Sequence, residues 1–151
     1  DYYSEYIPNK NGGAWLVWDK RTNSDETAIE LAESSDKLFG SSFELCWSKQ
    51  KHKREIARVR NGIFGVKNEQ GKSNTVHPTQ KPVQLVEWFF GKWAIGLTAI
   101  VDVFGGSGST LIACEKTNRN CYMMELDPIY CDVIIKRWED FTGRKAELIT
   151  K

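Results

Sequence analysis

From Pro82 onward, apolar and polar residues alternate between two rhythms. Val83, Leu85, Val86, Phe89, Phe90 and Trp93 recur at helical spacing after a proline in its favoured first position, which predicts a helix with one buried stripe. An apolar run, 98-TAIVDVF-104, follows as a strand. A glycine-rich link then leads into a helix from about Ser109 to Thr117. A second strand, 120-NCYMMEL-126, and a helix from about Pro128 to Phe141, stopped before Gly143, complete the pattern. Strand, helix, strand, helix with short links predicts an α/β fold, in which a mostly parallel sheet carries helices on both faces.

The first half is less regular. After the turn signal of Asn9 to Gly13, the stretch 13-GAWLVWD-19 reads as a buried strand. Ser24 offers a helix cap with acids in the first turn, and Ala28, Ile29, Leu31, Ala32 and Leu38 continue it. In 42-SFELCWSK-49, Phe43, Leu45 and Trp47 alternate with Glu44, Cys46 and Ser48, a strand with one wetter face. Residues 50–76 are polar, basic and glycine-containing, and read as a long loop or a hairpin around 62-GIFGV-66.

Composition narrows the class without naming it. A length of 151 residues allows one domain with a real core. No apolar run approaches the roughly 20 residues of a membrane span, and the N-terminus lacks the pattern of a signal peptide. The chain opens on Asp1 and not on methionine, so it reads as an internal piece of a longer one. Cys46, Cys114, Cys121 and Cys131 never fall at zinc-knuckle or dithiol spacing, so they are read as reduced and structural, in a cytosol-like compartment. The net charge of +1 conceals an asymmetry: five acids and no base from Asp25 to Asp36, then six bases against one acid from Lys49 to Arg60.

Three places carry candidate chemistry. The loop 104-FGGSGS-109 lies after a strand and before a helix, where open parallel sheets bind ligands. Its glycines let a ligand approach backbone, and the next helix start offers free N–H groups. Read alone, the loop is equally a tight turn with no ligand, and it departs from G-x-G-x-x-G spacing. Glu125 ends the next strand, 17 residues after Gly108, where an acid accepts hydrogen bonds from both hydroxyls of a ribose. The third place is 77-HPTQKP-82, whose Thr79 hydroxyl and Lys81 ammonium suit a carboxylate. With two histidines in the chain and no cysteine nearby, His77 is not assigned to a metal. No GK[ST] is present to hold a triphosphate.

HPTQKP, then VDVFGGSGST, then MELDPIYCDVIIKRW, in that order, resemble the carboxyl-terminal half of DNA amino-methyltransferases of the permuted (beta) class. The likeness is strongest from His77 to Trp138 and is weaker through 12-GGAWLVW-18 and 43-FELCWSK-49. It implies a Rossmann-like methyltransferase fold, incomplete at the N-terminus, that uses S-adenosylmethionine to methylate the exocyclic amine of adenine (N6) or cytosine (N4). It further implies that Asp102, Phe104, Gly105, Gly106 and Gly108 surround the methionine part of the cofactor, with Ser109 and Thr110 opening the helix. Glu125 would hold the ribose, Thr79 and Lys81 would face the carboxylate, and Leu126 and Ile129 would lie against the adenine.

The family's Asp/Asn/Ser-Pro-Pro-aromatic tetrad, which grips the target amine and stacks the flipped base, has no counterpart here. The nearest string, 127-DPIY-130, follows the wrong strand and reads as a cap for the last helix. The isolated chain is therefore expected to show little or no turnover, with the incomplete sheet closed by a second copy (a homodimer) or by the missing N-terminal half. The basic stretch 48-SKQKHKREIARVR-60 sits where the family places its target-reading insert, so Lys49, Lys51, Lys53, Arg54, Arg58 and Arg60 are the expected DNA contacts. One partial domain over 1–151 results: strand-helix-strand at 1–47, a basic target-recognition loop at 48–76 and a cofactor-binding part at 77–151. No membrane role is expected; the location is bacterial or phage-directed cytoplasm. A non-catalytic DNA-binding or assembly module with a vestigial pocket is the alternative. A nicotinamide-dependent oxidoreductase is disfavoured by HPTQKP and by the glycine spacing.

Overall fold

The computed structural model describes residues 13–20, 43–49, 53–59 and 80–149. The chain divides into two compact units, Asp1–Arg60 and Asn61–Lys151.

The described part of the first unit is a three-stranded sheet. Strand β1 (Ala14–Asp19) lies at its centre, antiparallel to β2 (Phe43–Ser48) and parallel to β3 (Glu55–Arg58). Ala14, Leu16 and Trp18 on β1 and Ala57 on β3 are buried on one face. The indole N–H of Trp18 donates to the Val59 carbonyl at 2.7 Å, and the Val59 amide donates to the Asp19 carbonyl at 3.2 Å. These bonds extend the pairing of β3 with β1 beyond its formal end.

Two expectations change in this unit. The segment read as a loop or hairpin contains β3, because Ile56 and Ala57 supply just enough apolar alternation to pair with β1. The faces of β2 also differ from the reading: the side carrying Phe43 and Leu45 is exposed, at 47% and 58%. The sheet buries the side that holds Leu16 and Trp18 instead, and Glu44 there pairs with Lys20 at 2.9 Å. The helix expected after Ser24 lies outside the described residues.

The second unit follows the predicted order closely. Helix α1 (Val83–Trp93) precedes β4 (Ala99–Asp102), α2 (Ser109–Lys116), β5 (Asn120–Met123) and α3 (Pro128–Thr142). β4 and β5 run parallel, with Ile100 opposite Cys121 and Val101 opposite Tyr122. Phe90 and Ala94, at the end of α1, meet Ala113 and Cys114 of α2 in a buried cluster, with Ile100 and Cys121 packed against it. On the opposite face of the two strands Val101 and Tyr122 are exposed. Among the described residues, the second layer of helices expected there is not seen.

Local chemistry explains these ends. Asp127 Oδ1 accepts from the Ile129 amide at 2.9 Å and Pro128 occupies the first helical position, so DPIY caps α3 as expected. Gly143 ends α3 in a left-handed conformation. Arg119, just before β5, donates to the carbonyls of Leu97 (3.1 Å) and Ala94 (3.2 Å) and lies over the Phe90 ring. It thereby ties the turn between α1 and β4 to the start of β5.

Candidate functional site

The carboxyl end of β4 turns into α2 through the glycine loop. Leaving the strand, the Phe104 amide donates to Asp102 Oδ1 at 3.0 Å, and the Gly105 amide donates to the Met124 carbonyl at 2.9 Å. The chain then closes a tight turn, with the Gly108 amide donating to the Gly105 carbonyl at 2.8 Å. Gly108 caps α2 at φ 78°, a conformation that costs an L-residue roughly 1–2 kcal/mol. Gly105 packs closely: a β-carbon there would lie 2.9 Å from Ile134 Cδ1 and from Met123 Sδ and would push those side-chain ends aside.

Glu125, just past β5, is bound to this loop. Its Oε2 accepts from the Gly106 amide at 2.6 Å, and its Oε1 accepts from the amides of Leu126 (2.8 Å) and Asp127 (3.0 Å). Three backbone donors thus fix a carboxylate in one orientation at the mouth of the loop. Their effect is to hold its charge in place beside the loop.

Together these groups line a cavity of about 350 Å³, at the lower end of the 300–1,000 Å³ usual for small-molecule sites. Of the residues named from sequence, Lys81, Asp102, Phe104, Gly105, Gly106, Ser109, Thr110 and Glu125 line it. Gly108 shapes the turn beneath it. Leu126 and Ile129 are exposed and do not line it; Leu126 contributes its backbone amide to Glu125 instead. Thr79 and His77 lie outside the described residues. Gln80, Val86 and Ser107 line the cavity without having been singled out.

Arg137 was missed as well. From α3 its Nη1 donates to the Ser107 carbonyl (2.8 Å) and reaches the hydroxyls of Ser107 (3.1 Å) and Ser109 (3.2 Å), both buried. Burial lowers the guanidinium pKa from its ordinary value. A signal did exist: Arg137 falls three residues after Ile134, on the stripe that faces the loop, where a charge needs fixed partners. Ser109 Oγ in turn donates to the Lys81 carbonyl at 2.6 Å.

In the first unit, Lys49, Lys53, Arg54 and Arg58 are exposed, and Lys51 and Arg60 lie outside the described residues. Arg58 belongs to β3, opposite Asp19, and shares a sheet face with Ile56. Part of the basic stretch is therefore held by a strand and is not simply a loop.

Residues 6–137 match the N6/N4 methyltransferase family, described as DNA methylase. Among solved structures, the crystal structure of the M1.HpyAVI–SAM complex matches with a TM-score of 0.53 and 18% identity, over 91% of this chain and 68% of that one. No curated protein matches significantly. Among the described residues, no helix is long and apolar enough to cross a membrane.

Proposed function

The chain belongs to the DNA methylase family, and from that premise we propose that the cavity under the glycine loop is its S-adenosylmethionine site. The observation that carries this assignment is the Glu125 carboxylate, oriented by three backbone amides beside the glycine loop. A ribose presents two hydroxyl donors, and a carboxylate held in a fixed orientation is their complement. A cavity of about 350 Å³, with Lys81 on its wall and the start of α2 adjoining it, suits the carboxylate end of the methionine part. When bound, that cofactor supplies an electrophilic methyl group; the residues here orient it and exclude water around it.

The acceptor we infer is the N6 amine of adenine or the N4 amine of cytosine in DNA. Lys49, Lys53, Arg54 and Arg58 would neutralise backbone phosphates in the salt-dependent manner common to DNA-binding proteins. No Pro-Pro-aromatic tetrad occurs in residues 1–151, so this chain assayed alone should bind more readily than it turns over. A complementary chain that carries the tetrad would supply what methyl transfer needs. The missing tetrad equally favours a second reading, a binding or assembly module that retains the pocket. The free thiols Cys46, Cys114, Cys121 and Cys131 suit a reducing cytoplasm.

Isothermal titration of the 151-residue chain with S-adenosylhomocysteine tests the assignment. Saturable binding that Glu125→Ala abolishes is the expected result. No heat from a folded sample, or equal heat from both chains, would overturn it.

A further inference from the structure

Arg137 is not among the residues that line the proposed cofactor cavity, yet it bonds two that are, Ser107 and Ser109. One nitrogen, Nη1, makes all three of its contacts: to the Ser107 carbonyl, the Ser107 hydroxyl and the Ser109 hydroxyl, at 2.8, 3.1 and 3.2 Å. The relay continues, because the Ser109 hydroxyl donates to the Lys81 carbonyl at 2.6 Å. Such a relay is mutually polarising, since a donor bonded to a cation becomes a better donor itself. Arg137 therefore fixes the positions of two separate cavity walls, the glycine loop and the segment leading into α1, from a third element.

This contact has a cost, because the guanidinium is half-buried and burial lowers its pKa. Packing alone would be served more cheaply by an apolar side chain beside Ile134. What an apolar residue cannot do is orient two hydroxyls and a carbonyl. Glu125 needs no such help, since its carboxylate is fixed by the amides of Gly106, Leu126 and Asp127. The cavity thus has two anchors that meet in the loop at Gly106 and Ser107: the Arg137–Ser109–Lys81 relay on one side, and on the other Glu125, which keeps the Leu126 and Asp127 amides outside that loop.

We propose that Arg137 is a positioning residue for the methionine end of the cofactor site, acting through Ser107, Ser109 and the Lys81 backbone and leaving the ribose end untouched. The proposal rests on the cofactor reading above and deepens it by dividing the site. It also makes a chemical prediction. Because a single nitrogen makes every contact, a lysine ammonium, with three donors of its own, can replace the guanidinium there.

The test is calorimetry on the 151-residue chain with two ligands, S-adenosylhomocysteine and adenosine, which lacks the amino-acid part. Arg137→Met should weaken S-adenosylhomocysteine about tenfold, or ~1.4 kcal/mol, while adenosine changes by no more than about twofold. Arg137→Lys should restore the first ligand to within about threefold of the unaltered chain. If Arg137→Met gives no cooperative thermal transition, Ser109→Ala, which removes the middle of the relay, should show the same split. Equal affinity for S-adenosylhomocysteine in Arg137→Met, equal loss of both ligands, or a lysine variant as weak as the methionine one would each overturn the assignment. A split absent from Ser109→Ala would do the same. An unaltered chain that binds neither ligand overturns the cofactor reading itself, and this inference with it.

Discussion

The two units of this chain use their polar groups in opposite ways. In residues 80–149, three partly buried charged groups are tied to backbone: Glu125 to three amides, Arg137 to the Ser107 carbonyl, Arg119 to the carbonyls of Ala94 and Leu97. In the strand unit, the cations at 49, 53, 54 and 58 stand exposed around a small sheet, and one face of that sheet shows Trp15, Phe43, Leu45 and Ile56 to solvent. The lesson is about what each arrangement can recognise. Fixed groups around a cavity select a small molecule by shape, whereas exposed cations on long stems follow the charge of a polymer. Ligand selectivity should therefore reside in the second unit and salt-sensitive affinity in the first.

The sharpest way to break that division is at Glu125. Glu125→Ala removes the acceptor for three amides and for the proposed ribose hydroxyls, and bonds to a charged group contribute about 1.5–3 kcal/mol each. Affinity for S-adenosylhomocysteine should fall about a hundredfold, while affinity for a duplex DNA, followed by fluorescence anisotropy, should stay within about twofold. The reverse experiment changes Lys53, Arg54 and Arg58 to glutamine. If each meets one phosphate, the slope of log affinity against log salt should flatten by about 2.7, at ~0.9 per contact, with cofactor affinity unchanged. An unaltered slope would remove these cations from the DNA-binding surface.

The contrast also explains what could be read before any coordinates existed. Residues 82–143 were legible because their boundaries are punctuated by chemistry that acts locally: Pro82, the Asp127–Pro128 cap, and glycine at 143. The positions of Glu125 and the glycine loop were legible for the same reason, since strand-loop-helix order fixes them. Strand β3 was hidden because four residues, two of them charged, carry too little periodicity to outweigh the basic run around them. The exposed apolar face of β2 was hidden because alternation shows that a strand has two faces, not which one the fold will cover. Arg137 was hidden because its partners lie 28 and 30 residues away in sequence.

A smaller effect sharpens the comparison through backbone geometry. At Gly108, alanine would have to adopt φ 78° with its β-carbon 3.3 Å from Ile134. Gly108→Ala should lower stability by about 1–2 kcal/mol, read as a lower urea midpoint, and should weaken cofactor binding as the cap of α2 shifts. If the midpoint is unchanged, the loop is not held as tightly as its hydrogen bonds imply.

The smallest expected effect lies in the thiols. The strand unit leaves Cys46 exposed, while the cavity unit places Cys121 against the fully buried Cys114. Burial first, and then the neighbouring Cys114, push Cys121 up to about 12 from its ordinary 9.0. Folding thus favours the protonated thiol. Below pH 9 neither the folded nor the unfolded state ionises this group, and its contribution to stability is fully present. Between 9 and about 12 the unfolded chain ionises while the native one does not, so stability falls, by at most ~1.4 kcal/mol per pH unit. Lysine and tyrosine titrations overlap that window, which makes a difference measurement necessary. The urea midpoint should drop between pH 8 and pH 10.5 in the unaltered chain, and drop less in Cys121→Ala, by about 1 kcal/mol when converted to free energy. Parallel pH profiles would mean that Cys121 reaches solvent in the native state, and that the core under the cavity is looser than the Phe90–Cys114 cluster requires.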